Sequence, residues 1–248
     1  MERNLYLNIS SAKKYCSRTD FLSDSLQSGK FKLLDVGNLG DGDVNVDVKK
    51  IVKSKGGEYF GLDCNINLAN NLVLENQFIG DLHDLSNVIE SEKFDVIYSG
   101  QVIEHSWRPG EIIKECRRIL KDDGTLILDT PNVFDVYGLF RYFFKKTDTI
   151  YMDDNVLSYN EAKDNLQNYR ENKDNLLSQP QHKIFYSAAM LRQLLNMHGF
   201  RVEKFVFIKK SKNIFHKILL YFFPHGSQKI GVVARKDSLE NIYNINRV

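Results

Sequence analysis

Four short stretches of this chain carry side chains whose types and spacing could do chemistry. The first is Asp35-Val36-Gly37-Asn38-Leu39-Gly40-Asp41-Gly42, where an apolar run ends in an acid and opens into glycines. Glycines let backbone approach a ligand closely and permit turns that other residues resist. The second is Asp63, which closes Glu58-Tyr59-Phe60-Gly61-Leu62 and precedes Cys64; a carboxylate there can accept both hydroxyl protons of a ribose. In the third, Gly80-Asp81-Leu82, an acid can accept from an exocyclic amine while an apolar side chain lies against the base. The fourth, Ser99-Gly100-Gln101-Val102-Ile103-Glu104-His105, is a polar loop with two titratable groups. A histidine titrating near ambient pH suits removal of a proton from a hydroxyl acceptor, so His105 and the later His182 are the candidate bases. Plainer readings stand beside these: a glycine turn can be only a turn, an acid at a strand end can cap a helix, and His105 can simply hold Glu104. His83, His198, His216 and His225 read as surface or packing residues.

The elements that must position these groups alternate. Residues 12–29 have roughly helical spacing with Gly29 as a stop. A strand over 31–37 leads through the glycine loop into a helix ending near Lys53, and Gly56-Gly57 breaks it. Strands follow at 58–63 and 77–81. Phe94–Ser99 is a continuous apolar strand, and Pro109, a favoured first helical residue, opens a helix with Ile112, Ile113, Cys116, Ile119 and Leu120 on one face. Asp122-Asp123-Gly124 closes that helix before a fifth strand, 125–129. A helix over 190–198 stopped by Gly199, a strand at 202–208 and a last strand at 230–234 complete the order. Strand–helix alternation with apolar strands predicts an α/β, doubly wound domain around a mostly parallel sheet, whose ligands bind beyond the strands' carboxyl ends.

With these motifs in order, the chain resembles the class I S-adenosylmethionine-dependent methyltransferases, in their broad small-molecule group. The resemblance rests on LLDVGNLGDG at 33–42, YFGLD at 59–63, GDLHDL at 80–85, FDVIYSGQVIEHSWRP at 94–109, IIKECRRILKDDGTLILDTPN at 112–132 and HKIFYSAAMLRQLLNMHGF at 182–200. It implies a seven-stranded Rossmann-like sheet with an antiparallel C-terminal strand pair, and S-adenosyl-L-methionine as cofactor. Asp35, Gly37, Asn38 and Gly40 would then hold the methionine part, and Asp63 with Cys64 the ribose. Asp81 and Leu82 would flank the adenine, and Ser99, Gly100 and Gln101 would line the wall near the sulfonium. The family's usual GxGxG is one residue longer here, with Leu39 where a glycine is expected. Glu104-His105 is also similar to the EMLEH metal-assisting pattern of quinone O-methyltransferases, but Gln101 replaces its first acid, so no metal is expected.

Composition narrows the acceptor. Across 248 residues, 34 basic and 32 acidic side chains leave a net charge of +2, a small excess that argues against nucleic acid as the obligatory partner. The loop after the fourth strand is nothing like the (Asp/Asn)-Pro-Pro-aromatic signature of base and amide N-methyltransferases. A nicotinamide-dependent oxidoreductase should show GxGxxG, and the order here is GxxGxG. The expectation is methyl transfer to a small-molecule or glycan acceptor at oxygen, with a non-catalytic methyltransferase-like binding or regulatory subunit as the alternative. Three scattered cysteines, Cys16, Cys64 and Cys116, point to a reducing compartment. No apolar stretch nears the ~20 residues that span a bilayer, and the start lacks signal-peptide character. A cytoplasmic, single-domain monomer or homodimer is expected, with 1–30 an N-terminal helical segment. Residues 133–181 form an insertion that is either a substrate-side lid or a solvated excursion. Its aromatics Phe134, Tyr137, Phe140, Tyr142, Phe143 and Phe144 either wall a pocket or pack on the sheet. Residues 215–224 read as a buried connector, or as a membrane-touching or dimer-forming helix.

Overall fold

The computed structural model describes residues 14, 15, 17–38, 42–64, 76–135, 183–208 and 226–237, and only the backbone of 14, 15 and 42–47. Among the described residues, eight strands make one sheet: β1 (Lys14–Tyr15), β2 (Lys32–Val36), β3 (Glu58–Asp63), β4 (Gln77–Ile79), β5 (Phe94–Gly100), β6 (Leu120–Pro131), β7 (Phe200–Ile208) and β8 (Lys229–Lys236). Their order is β1-β7-β8-β6-β5-β2-β3-β4. The seven expected strands are all present, and β8 runs antiparallel to both β6 and β7. The eighth strand, β1, is a two-residue edge pairing with Phe207 and Ile208. Four helices are described: α1 (Arg18–Ser25), α2 (Gly42–Ser54), α3 (Pro109–Ile119) and α4 (Ala188–Met197).

Alternation along the strands explains the layers. In β2, Leu33 joins Phe21 and Leu22 of α1, Leu26 just after it, and Val48 and Val52 of α2 on one face. Its neighbours Leu34 and Val36 join Ile112, Ile113 and Cys116 of α3 and Leu191 and Leu195 of α4 on the other. Successive strand residues point to opposite faces, so Asp35 shares the α1/α2 side with Leu33. By the same period, Asp129 lies with Ile127 on that side, and Thr130 with Leu128 on the α3/α4 side. From β2 the chain moves outward to β3 and β4, then returns to β5 on the other flank of β2. The gap between β2 and β5 is therefore the switch point, where ligands bind beyond the strand ends.

Three boundaries differ from the sequence reading. The N-terminal helix is shorter than 12–29, because Ser17 Oγ caps it by accepting from Asp20 N at 3.0 Å and Leu26 is already extended. Residues 1–30 are thus not a uniformly helical segment, since Lys14–Tyr15 is strand. The helix begun by Pro109 ends at Ile119, ahead of Asp122-Asp123-Gly124. Leu120 already pairs with Phe94, and a register shift falls between Phe94 and Val96.

Candidate active site

Three carboxylates stand at consecutive strand ends. Asp35 is the penultimate residue of β2, Asp63 the last of β3, and Asp81 follows β4. Asp35 and Asp63 are buried. Tyr59 OH donates to Asp35 Oδ2 at 3.0 Å. Burial nevertheless raises the Asp35 pKa to about 7, against that hydrogen bond and the pull of Arg18. Gly80 N–H donates to Asp63 O at 3.0 Å, tying the end of β3 to the start of the next loop. Cys64 lies in reach of both acids: its thiol pKa is raised by burial, then by Asp63 and Asp81. Asp81 is mostly exposed, and hydrogen bonds from the backbone and ring of His83 hold its pKa below the usual carboxylate range.

The glycine loop is shaped first by protein contacts. Gly37 has φ +73°, and a Cβ there would meet Val102 Cγ2 at 2.5 Å, so the loops after β2 and β5 close on one another. Asn38 is buried, with its amide paired to Gln77: Nδ2 donates to Oε1 at 2.8 Å and Gln77 Nε2 donates back to Oδ1 at 2.9 Å. Gly40, Leu39 and His182 lie outside the described residues, as do 136–182 and 209–225 with their lid, aromatic and connector readings. Within the expected aromatic cluster, Phe134 is described, and it is exposed.

At the end of β5 the structure supplies groups that sequence reasoning missed. Asp129, fully buried on β6, accepts from Arg18 Nε, Tyr98 OH and Gln101 Nε2, the latter two both at 2.8 Å. Burial alone would lower the Arg18 pKa, but Asp129 and Tyr98 outweigh it and keep the guanidinium charged. The same guanidinium sits against Gly100, where any Cβ would collide with it. Gln101, with φ +60°, is the residue in place of a metal-binding acid. Its amide donates to Asp129, a contact that a carboxylate could not make while ionised. Among the described residues no group of three or more His, Cys, Asp or Glu side chains is placed to hold a metal ion. Ser99 is buried on β5, registered against Val36 and Leu128.

Glu104 and His105 occupy one 3-10 turn, Ile103–His105. Glu104 faces away from the Asp129 cluster: Thr130 Oγ1 donates to its Oε2 at 3.0 Å, while Oε1 has no partner among the described residues. With no exposed surface, its carboxyl is pushed by burial to about 7. Its backbone oxygen accepts from Lys183 and Ile184 N–H, which docks the chain returning after 182 beside His105. His83 is a further surprise, since its ring bonds both Asp81 and Ser106.

These groups fit a nucleoside cofactor bearing an amino-acid tail. Acids at successive strand ends offer acceptors for an ammonium, a ribose and an amino-purine edge, and Arg18 offers a cation for a carboxylate. A family model described as a methyltransferase domain matches residues 7–204. The ubiquinone biosynthesis O-methyltransferase of Glaesserella parasuis is 42% identical over 45 residues, 18% of this chain and 19% of that protein. The curated relatives are thus matched over less than a fifth of their own length. A solved S-adenosylmethionine-dependent methyltransferase from Mesorhizobium loti shares the fold with a TM-score of 0.56 at 13% identity, covering 87% of this chain and 96% of that one. One from Archaeoglobus fulgidus gives 0.54 at 16% identity, covering 95% and 100%. With acids at the ends of β2, β3 and β4 and the family model matched over most of its length, the chain belongs to the methyltransferase-domain family, in the class I group whose cofactor is S-adenosylmethionine.

Proposed function

We propose that this chain transfers the methyl group of S-adenosylmethionine to an oxygen of a small-molecule or glycan acceptor. The observation that carries the reading is the placement of Asp35, Asp63 and Asp81 at the carboxyl ends of β2, β3 and β4, beside the switch point. Asp35 pairs with the cofactor ammonium, Arg18 with its carboxylate, Asp63 with the ribose hydroxyls and Asp81 with the adenine amine, with Leu82 against the base. Ser99, Gly100 and Gln101 form the wall near the sulfonium. The cofactor supplies an electrophilic methyl group; the chain's part is to align the acceptor and exclude water. His105 removes the acceptor's proton, with His182 as the second candidate. An oxygen acceptor is supported by one matched relative, an O-methyltransferase by name, and by the presence of histidine rather than an amide-methylating loop after β5.

Calorimetric titration with S-adenosylhomocysteine tests the reading. The wild-type chain binds, and Asp63→Ala weakens binding by ~1.5–3 kcal/mol through loss of charge-assisted hydrogen bonds. Absence of heat at millimolar ligand overturns it. Binding without transfer of labelled methyl to any component of a metabolite extract would favour the non-catalytic alternative.

A further inference from the structure

The ends of β4 and β5 are held apart by β3 and β2. Three strand spacings separate them by roughly 14 Å. Yet the loops that leave these strands are joined by a single side chain. His83 Nδ1 lies 2.6 Å from Asp81 Oδ1, and His83 Nε2 lies 2.8 Å from Ser106 Oγ. His83 N–H also donates to Asp81 Oδ1 at 2.9 Å. Ser106 Oγ accepts from Arg108 N at 2.9 Å, just before Pro109 starts α3. The contacts form one consistent set. With Arg108 donating to it, Ser106 has its own proton free to give to Nε2, while Nδ1–H faces Asp81. All of these bonds to Asp81 fall on Oδ1, which leaves Oδ2 for a further donor.

We infer that His83 is a positioning residue for adenine recognition, clamping the loop after β4 to the loop after β5 so that the Asp81 carboxylate is fixed beyond the end of β4. The inference rests on the cofactor reading above. Without the clamp, a mostly exposed aspartate on a loop would sample many rotamers, and each hydrogen bond to the purine would first have to order it. With it, the carboxylate is oriented before the ligand arrives. The effect therefore falls on discrimination at the purine's amino edge as well as on affinity.

The experiment compares S-adenosylhomocysteine with S-inosylhomocysteine, whose base carries an oxo group in place of the amine. The wild-type chain binds the adenosyl compound more tightly. His83→Ala weakens that binding ~10-fold, the equivalent of one charge-assisted hydrogen bond, and leaves the inosyl compound nearly unchanged, so the preference collapses. His83→Asn retains a donor near Asp81 but cannot reach Ser106, and behaves like His83→Ala. Ser106→Ala cuts the clamp from its other end and gives the same loss of preference, which keeps the test open should His83→Ala fail to fold. Equal losses for both ligands, or a wild-type preference in His83→Asn, overturn the clamp while the cofactor reading stands. A wild-type chain that binds neither compound overturns both.

Discussion

The side-chain amides of Asn38 and Gln77 exchange two hydrogen bonds directly above the α-carbon of Gly61. A Cβ at Gly61 would run into both partners. This pair joins the loop after β2 to β4 across the intervening β3, so the first wall of the site is held by a contact between residues far apart in sequence. Gln77→Ala leaves a buried amide without its partner, and should lower unfolding stability by about 1–3 kcal/mol. Urea denaturation followed by circular dichroism measures it, and a loss within error would show that Asn38 finds other partners.

Cofactor affinity should depend on pH through Asp35. Its carboxyl is raised to about 7 by burial, whereas pairing with an ammonium requires the ionised form. Below that pKa, binding must expel a proton, so S-adenosylhomocysteine affinity should fall by up to about tenfold per pH unit between pH 7 and pH 5. Asp35→Asn should bind more weakly at pH 8 and show a flat profile across this range. A wild-type profile equally flat would separate Asp35 from the ligand's amine.

Stability carries the opposite dependence through Glu104. Its folded pKa of about 7 lies above the ~4.3 of an unfolded glutamate. The folded chain therefore holds more protons between these values, and stability from this group declines as pH rises through the window. Glu104→Gln removes the charge, so its melting temperature relative to wild type should climb from pH 5 to pH 8 and then level off. Scanning calorimetry at four pH values decides it; a constant difference would assign the carboxyl an ordinary pKa.

His105 should act on turnover and not on cofactor binding. His105→Ala is expected to lower kcat by about 10²-fold or more while S-adenosylhomocysteine affinity stays within about twofold, a margin of some 0.4 kcal/mol. Full activity in this variant would pass the role to His182 or to no histidine.

Much of this arrangement was legible in the sequence. The apolar runs ending in Asp35 and Asp63, and the Phe94–Ser99 run, became β2, β3 and β5 nearly residue for residue, because fully covered strands need unbroken apolar stretches. What stayed hidden depends on contacts between distant positions. Nothing near Arg18 announces that it will lie on Asp129, and the polar Ser17-Arg18-Thr19-Asp20 reads as an exposed helix start. Likewise, His83 has no local signal, since its partner Ser106 reaches it only after the chain has crossed to the far side of β2. The two-residue pairing of Lys14–Tyr15 is too short for any periodicity to reveal.

The reversed strand β8 has a consequence for how the chain is made. Thr125–Pro131 of β6 are bonded along one side by Lys229–Arg235, which leave the ribosome only after roughly a hundred further residues have been synthesised. At ~5–20 residues per second, the apolar flank of the nascent sheet waits many seconds for its cover. Attachment of β8 is a late, long-range step in folding, and until it arrives the backbone edge of β6 stays unpaired on that side.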